Sequence, residues 1–191
     1  MKQLLLILIV FSFSFVCYST EKMEIQISFG QQTETDSLRN PDHYYYMADL
    51  SLRKAGELIL NDSIHPSDNF ITFSLMDTIS DCKERDLNFF LKVFEKILND
   101  VDGALAEAVG SDTRNFIEKR PVEFINHIDK LNDKQIKKWA DHTFSEMYFA
   151  YSEDVLKIKC QELVKKLKKI KTTKSVDCFE KEMKNKIQNG I

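Results

Sequence analysis

From Asp86 to Leu131 the chain repeats apolar residues at helical spacing and interrupts them at short intervals. Leu87, Phe90, Leu91, Phe94, Ile97 and Leu98 fall on one face of an amphipathic helix. Asn99 to Gly103 break that pattern, and Asp102 is placed to cap a second helix through its side-chain oxygen. Leu105, Ala108, Val109, Phe116 and Ile117 mark the face of the second helix. Arg120-Pro121 ends it, because a residue before proline is pushed out of the α region while proline itself suits a first helical turn. Phe124, Ile125, Ile128 and Leu131 give the third helix its apolar side.

The same reading extends in both directions. Pro41, capped by Asn40, opens a helix carrying Tyr45, Ala48, Leu52, Ala55 and Ile59, which ends near Asn61-Asp62. Ser67 or Asp68 caps a helix from Asn69 to about Ile79, with Phe70, Phe73 and Met76 inward. Asp81 and Glu84 have the spacing of a capping box, which would start the following helix at Cys82. Asn132-Asp133 caps a helix bearing Ile136, Trp139, Ala140, Thr143, Phe144, Met147 and Tyr151. Ser152 caps the next, with Leu156, Cys160, Leu163, Val164, Leu167 and Ile170 inward. Val176, Phe179, Met183 and Ile187 define a last one, stopped by Asn189-Gly190.

The fold class is therefore all-α, with about seven or eight amphipathic helices joined by short turns over residues 41–191. Two arrangements fit: antiparallel helix pairs stacked HEAT-like, or helices closed as a helical bundle. Leu-Asn-Asp recurs at Leu60, Leu98 and Leu131, spaced by 38 and 33 residues, close to a helical-repeat period. Asn and Asp also gather at helix ends for capping reasons alone.

The first residues follow another pattern. Met1-Lys2, the apolar run Leu4 to Val16 and the small residues of Cys17-Tyr18-Ser19 read as a signal peptide over 1–19, cleaved before Thr20. The expected product is exported, secreted or periplasmic. Lipoprotein anchoring through Cys17 is the competing reading, but Ser14-Phe15-Val16 places bulky residues where a lipobox needs small ones. Residues 20–40 form a flexible leader or, from the alternation of Met23, Ile25, Ile27 and Phe29, a short strand. No later apolar run reaches membrane-spanning length, so no transmembrane span is expected in the mature chain. Export permits disulfides, and Cys160 with Cys178 could bridge consecutive helices; burial of Cys82, Cys160 and Cys178 as thiols fits the sequence equally.

Chemistry is scarce. His142 and Glu146 share a helical face, but the second histidine of a His-Glu-x-x-His zinc motif is missing, and an ordinary exposed pair is expected. Asp100 to Gly103 cannot be a calcium loop, because Leu98 and Val109 occupy its first and last ligand positions. No phosphate loop, nucleophile elbow or CxxC appears, so no catalytic, cofactor or metal residues are assigned.

Charge is asymmetric. Residues 157–186 carry +7 in a chain of net −3, with Lys165, Lys166, Lys168 and Lys169 at the centre. This reads as a solvated helix face or a surface for an acidic partner. Export and the absence of arginine there argue against nucleic acid. Tyr44, Tyr45 and Tyr46, and the run Tyr148-Phe149-Ala150-Tyr151, cannot all face one core, and a second interface or a groove would absorb them. The expectation is a non-catalytic interaction module for a protein or cell-envelope component. The alternative is a helical carrier of an apolar molecule, since phenylalanine is abundant at fourteen residues. An enzyme assembled from separate helices ranks last.

Overall fold

A computed structural model describes residues 51–101 and 103–189 of the chain. The expected signal segment, the 20–40 leader, the helix start at Pro41, Tyr44, Tyr45, Tyr46, the Asp102 cap and the Gly190 stop lie outside those residues. The described part is all-helical: α1 Leu52–Leu60, α2 Phe70–Asp81, α3 Glu84–Asp100, α4 Gly103–Lys119, α5 Pro121–Ile128, α6 Asp133–Ala150, α7 Glu153–Ile170 and α8 Lys174–Asn189.

Local chemistry sets most of the boundaries. Ser51 has extended backbone and accepts a bond from Lys54 N, so α1 begins at Leu52 rather than running through from Pro41. Asn69, not Ser67 or Asp68, caps α2 by accepting from Thr72 N at 2.9 Å. The Asp81–Glu84 box does not form. Asp81 closes α2 and pairs with Lys119, and α3 starts at Glu84 after Lys83 with no side-chain cap. Pro121 opens α5 as expected. Asn132 and Gln135 form a reciprocal capping box at the start of α6. Thr173 accepts from Val176 N ahead of α8, which begins at Lys174, two residues before the expected start at Val176.

Alternate helices lie side by side. One row runs α2, α4, α6, α8, and the other joins α1 to α3 and α5 to α7. Within each row the helices point the same way. Arg53 and Asp86 pair near the starts of α1 and α3, whereas Lys119 and Asp81 pair near the ends of α4 and α2. The arrangement is a helical bundle laid out as stacked helix pairs. The Leu-Asn-Asp triplets at Leu60, Leu98 and Leu131 mark the ends of α1, α3 and α5, inside the last turn of α3 and at the turns leading to α2 and α6.

Polar ties between pairs therefore have similar sequence separations. Arg53–Asp86 spans 33 residues, Lys119–Asp81 38, Lys138–Asn99 39 and Lys171–Asp129 42. Two glycines permit the closest approaches. A Cβ on Gly56 would lie 2.9 Å from Val93 on α3, and one on Gly110 would lie 3.0 Å from the His142 carbonyl on α6.

The core centres on Trp139, fully buried on α6. Its ring meets Phe94 of α3 at 5.1 Å, Phe116 of α4 at 5.9 Å, and Phe124 and His127 of α5 at 5.4 and 5.6 Å between centroids. Phe124 in turn meets Phe179 of α8. The indole N–H donates to Glu95 Oε1 at 2.6 Å, and His127 Nε2 sits 2.8 Å from the same oxygen. The partner of His127 thus comes from α3, 32 residues away in sequence. Two expected core positions are also displaced outward: Phe70 is 82% exposed and Ile170 is 42% exposed. Phe70 opens α2 but lies off its buried face, which runs through Ile71, Leu75, Met76 and Ile79, and Ile170 is the last residue of α7.

Glu95→Ala leaves the indole N–H of Trp139 unsatisfied in the core and should cost about 1–3 kcal/mol. Glu95→Gln keeps an acceptor and should cost less. Trp139→Ala should cost about 3–5 kcal/mol by cavity formation. Urea unfolding followed by circular dichroism gives all three values. Equal losses for Glu95→Ala and Glu95→Gln would assign the effect to something other than the missing acceptor.

Candidate functional site

The residues singled out by sequence gather around α7, which forms a wall of three separate openings. Tyr148 and Tyr151 come together at the first, a cleft of about 690 Å³ where the end of α6, the start of α7 and the end of α8 meet. Phe144, Leu156 and Ile187 line its apolar side, with Glu153, Asp154, Lys157 and Lys186 around them. Tyr148 is 47% exposed and Phe149 beside it is 78% exposed, their rings edge to face at 5.8 Å. Two further apolar residues, Val155 and Ile158, are exposed on the first turns of α7.

Tyr151 and Lys166 come together at the second opening, a polar cavity of about 440 Å³. Tyr151 closes α6 instead of continuing its buried face. Its hydroxyl lies 2.6 Å from Arg114 Nη2, and the same guanidinium pairs with Glu118 at 2.9 Å. Lys166 donates to the Glu118 carbonyl, one of the last carbonyls of α4 left without a helical partner. Lys159 pairs with Glu162. Each cation of this cavity is thus already satisfied by an acceptor of the chain. Arg114 and Glu118 carry no signal in the local sequence, because Tyr151 lies 37 residues away from Arg114.

Lys165, Lys168 and Lys169 line the third opening, a groove of about 410 Å³ between α7 and α8. Its floor includes Cys160, Val164, Met183 and Ile187. Cys160, Cys178 and Cys82 are free thiols, so the bridge considered between Cys160 and Cys178 is not made. The α7–α8 turn explains this. Cys160 lies about twice as far from the turn as Cys178, an offset of ~9 Å along antiparallel helices, beyond disulfide reach. Burial pushes the Cys160 thiol up to about 11, and its sulfur rests against Met147 Sδ at 4.0 Å.

One polar feature lies away from α7. Asp112 of α4 is buried on the face otherwise formed by Leu105, Val109 and Phe116. It is hydrogen-bonded to Asp77 of α2 and faces Glu146 of α6. Burial, with the two neighbouring carboxyls, raises its pKa to about 8. The sequence signal was present as a carboxylate at a core position of the helical pattern. Glu146 therefore belongs to this acidic group and is not the exposed partner expected for His142. His142 is half-buried, bonded to the Ala106 backbone, and held below the usual imidazole range chiefly by that burial.

Among the described residues no group of three or more His, Cys, Asp or Glu is disposed to hold a metal ion. None of the described helices is long and apolar enough to cross a membrane. Fold and surface together define an all-helical stack with its open clefts concentrated along one helix. Comparison with protein families, curated proteins and solved structures finds no match to this chain.

Asp112 is protonated in the folded chain at neutral pH and ionised in the unfolded one. The unfolded chain therefore holds fewer protons between the ordinary carboxylate range and about pH 8. Stability from this group falls as pH rises across that window. Asp112→Asn keeps a donor for Asp77 and removes the loss. Its gain should be on the order of a few kcal/mol at pH 7 and should shrink toward pH 4. Urea midpoints at several pH values test this; a gain independent of pH would refute the protonated state.

Proposed function

We propose that the chain is an exported, non-catalytic recognition module that binds a protein through the corner between α6 and α7. One observation carries the reading: Tyr148 and Phe149 stand exposed at the end of α6 while Val155 and Ile158 are exposed at the start of α7. Scattered apolar residues are ordinary on a surface, but four exposed ones within residues 148–158 are the kind of concentration that partners cover. Tyrosine and phenylalanine contribute large contact area with few rotatable bonds. Glu153, Asp154 and Lys157 give that patch a charged margin, as interfaces commonly have. Export rests on the leader pattern from Leu4 to Val16 followed by small residues at 17–19.

The test is a photoreactive residue placed at Phe149, with the same residue at exposed Lys137 of α6 as a control, in the native source. A discrete protein adduct should form from position 149 and disappear when Tyr148→Ala and Ile158→Ser are added. Circular dichroism should show an unchanged fold, since all three side chains are exposed. Identical adducts from both positions, or none from position 149, would overturn the reading.

A further inference from the structure

The groove between α7 and α8 differs from the other two openings in how its charges are used. Four lysines, Lys165, Lys168, Lys169 and Lys184, surround it against Glu180 as the only acid in its lining. Lys168 is held by Asp177 and Glu180, and Lys184 by Glu180. Among the described residues Lys165 and Lys169 make no ion pair or hydrogen bond through their side chains. They are one helical turn apart, so both ammonium groups rise from the same edge of α7. Below them the floor is apolar: Val164 and Cys160 from α7, Met183 and Ile187 from α8.

The groove also has a direction. The Lys168–Glu180 brace crosses from α7 to α8 at the lysine end of the groove. From Lys169 back to Cys160 is about 14 Å of helix, leading away from the turn toward Ile187. A cationic end and an apolar trough in line form the complement of an amphiphile with one negative head. The volume, about 410 Å³, lies within the range of small-ligand pockets, ~300–1,000 Å³. The thiol of Cys160 adds no competing charge to the floor, being protonated across the physiological range.

We propose that this groove binds a single long-chain carboxylate as a monomer, its head between Lys165 and Lys169 and its tail along Val164, Met183 and Ile187. The site shares Ile187 with the cleft at the end of α6 but none of the exposed residues Tyr148, Phe149, Val155 and Ile158, and either reading can fail without the other. Desolvating the tail drives association, and the two free ammonium groups select the sign of the head by charge-assisted hydrogen bonds.

The experiment is a calorimetric titration of the full chain with sodium dodecanoate below its micelle-forming concentration. Dodecyltrimethylammonium serves as a cationic amphiphile of equal tail length. One equivalent of dodecanoate should bind, and the cationic analogue should bind at least about tenfold more weakly. Lys165→Glu with Lys169→Glu, both exposed and unpaired, should weaken dodecanoate by about tenfold or more without altering the fold. Ile187→Trp should block the tail and abolish binding even with both lysines present. The proposal is overturned by the absence of saturable binding, by equal affinity for the two amphiphiles, or by lysine variants that bind as tightly as the parent. A chain that sediments with anionic phospholipid vesicles yet ignores monomeric dodecanoate would also overturn it, pointing to a membrane surface instead.

Discussion

One carboxylate oxygen, Glu95 Oε1, holds the interior in register. It accepts the indole N–H of Trp139 and lies against His127, so it ties α3 to α6 and α5 at one point. Aromatic packing alone is tolerant of sliding and rotation. A buried N–H with one acceptor in reach is not, because any rotation of α6 that breaks the bond leaves a polar group without solvent. The rings of Phe94, Phe116 and Phe124 then find fixed positions around an indole that cannot turn. Gly110 adds a second constraint on the same helix by letting α4 approach the His142 carbonyl more closely than any side chain would allow.

The helical periodicity was readable wherever a run of apolar residues stayed on one face. Leu87 through Leu98 is the clearest case, and all six of those positions are buried in α3. Proline at 121 and the Asn132 cap were equally legible, since both act within one turn. Helix ends were harder. Ile170 follows the helical spacing but is the last residue of α7, and in α2 two apolar faces compete, of which the one through Ile71, Leu75 and Ile79 is buried and the one through Phe70 is not. Asp81 had the spacing for a cap, yet Lys119 from a distant helix claims it. The pairing of helices was hinted at by the Leu-Asn-Asp triplets, which recur where α1, α3 and α5 end.

The candidate surface was legible in its residue types and not in its grouping. Tyr148, Tyr151, Lys165, Lys166, Lys168 and Lys169 all adjoin α7, but they divide among three openings. What separates them is the direction in which each side chain leaves a helix. Lys165 and Lys166 are adjacent in sequence and fall on different walls, about a hundred degrees apart around the axis. Their partners come from elsewhere: Glu118 lies on α4, Met183 and Ile187 on α8. A local pattern cannot reveal a neighbour supplied by a helix tens of residues away. Asp112 is the converse case, a polar residue visible in the apolar stripe whose meaning appears only when Asp77 and Glu146 are brought beside it.

The layout of ties between successive pairs has a kinetic meaning. Each pair can dock on its neighbour by closing a loop of modest length, and the entropy of closure grows only slowly with that length. Folding of such a stack can begin at one place and spread in both directions. The meeting of α3, α4, α5 and α6 at Trp139 makes this segment the natural origin, since among the described residues no other side chain collects so many aromatic neighbours. The helix that carries one wall of all three openings, α7, would then add late, whereas α8 is tied to that nucleus through Phe179. The part of the molecule richest in open clefts is thus also the part whose detachment leaves the nucleus standing.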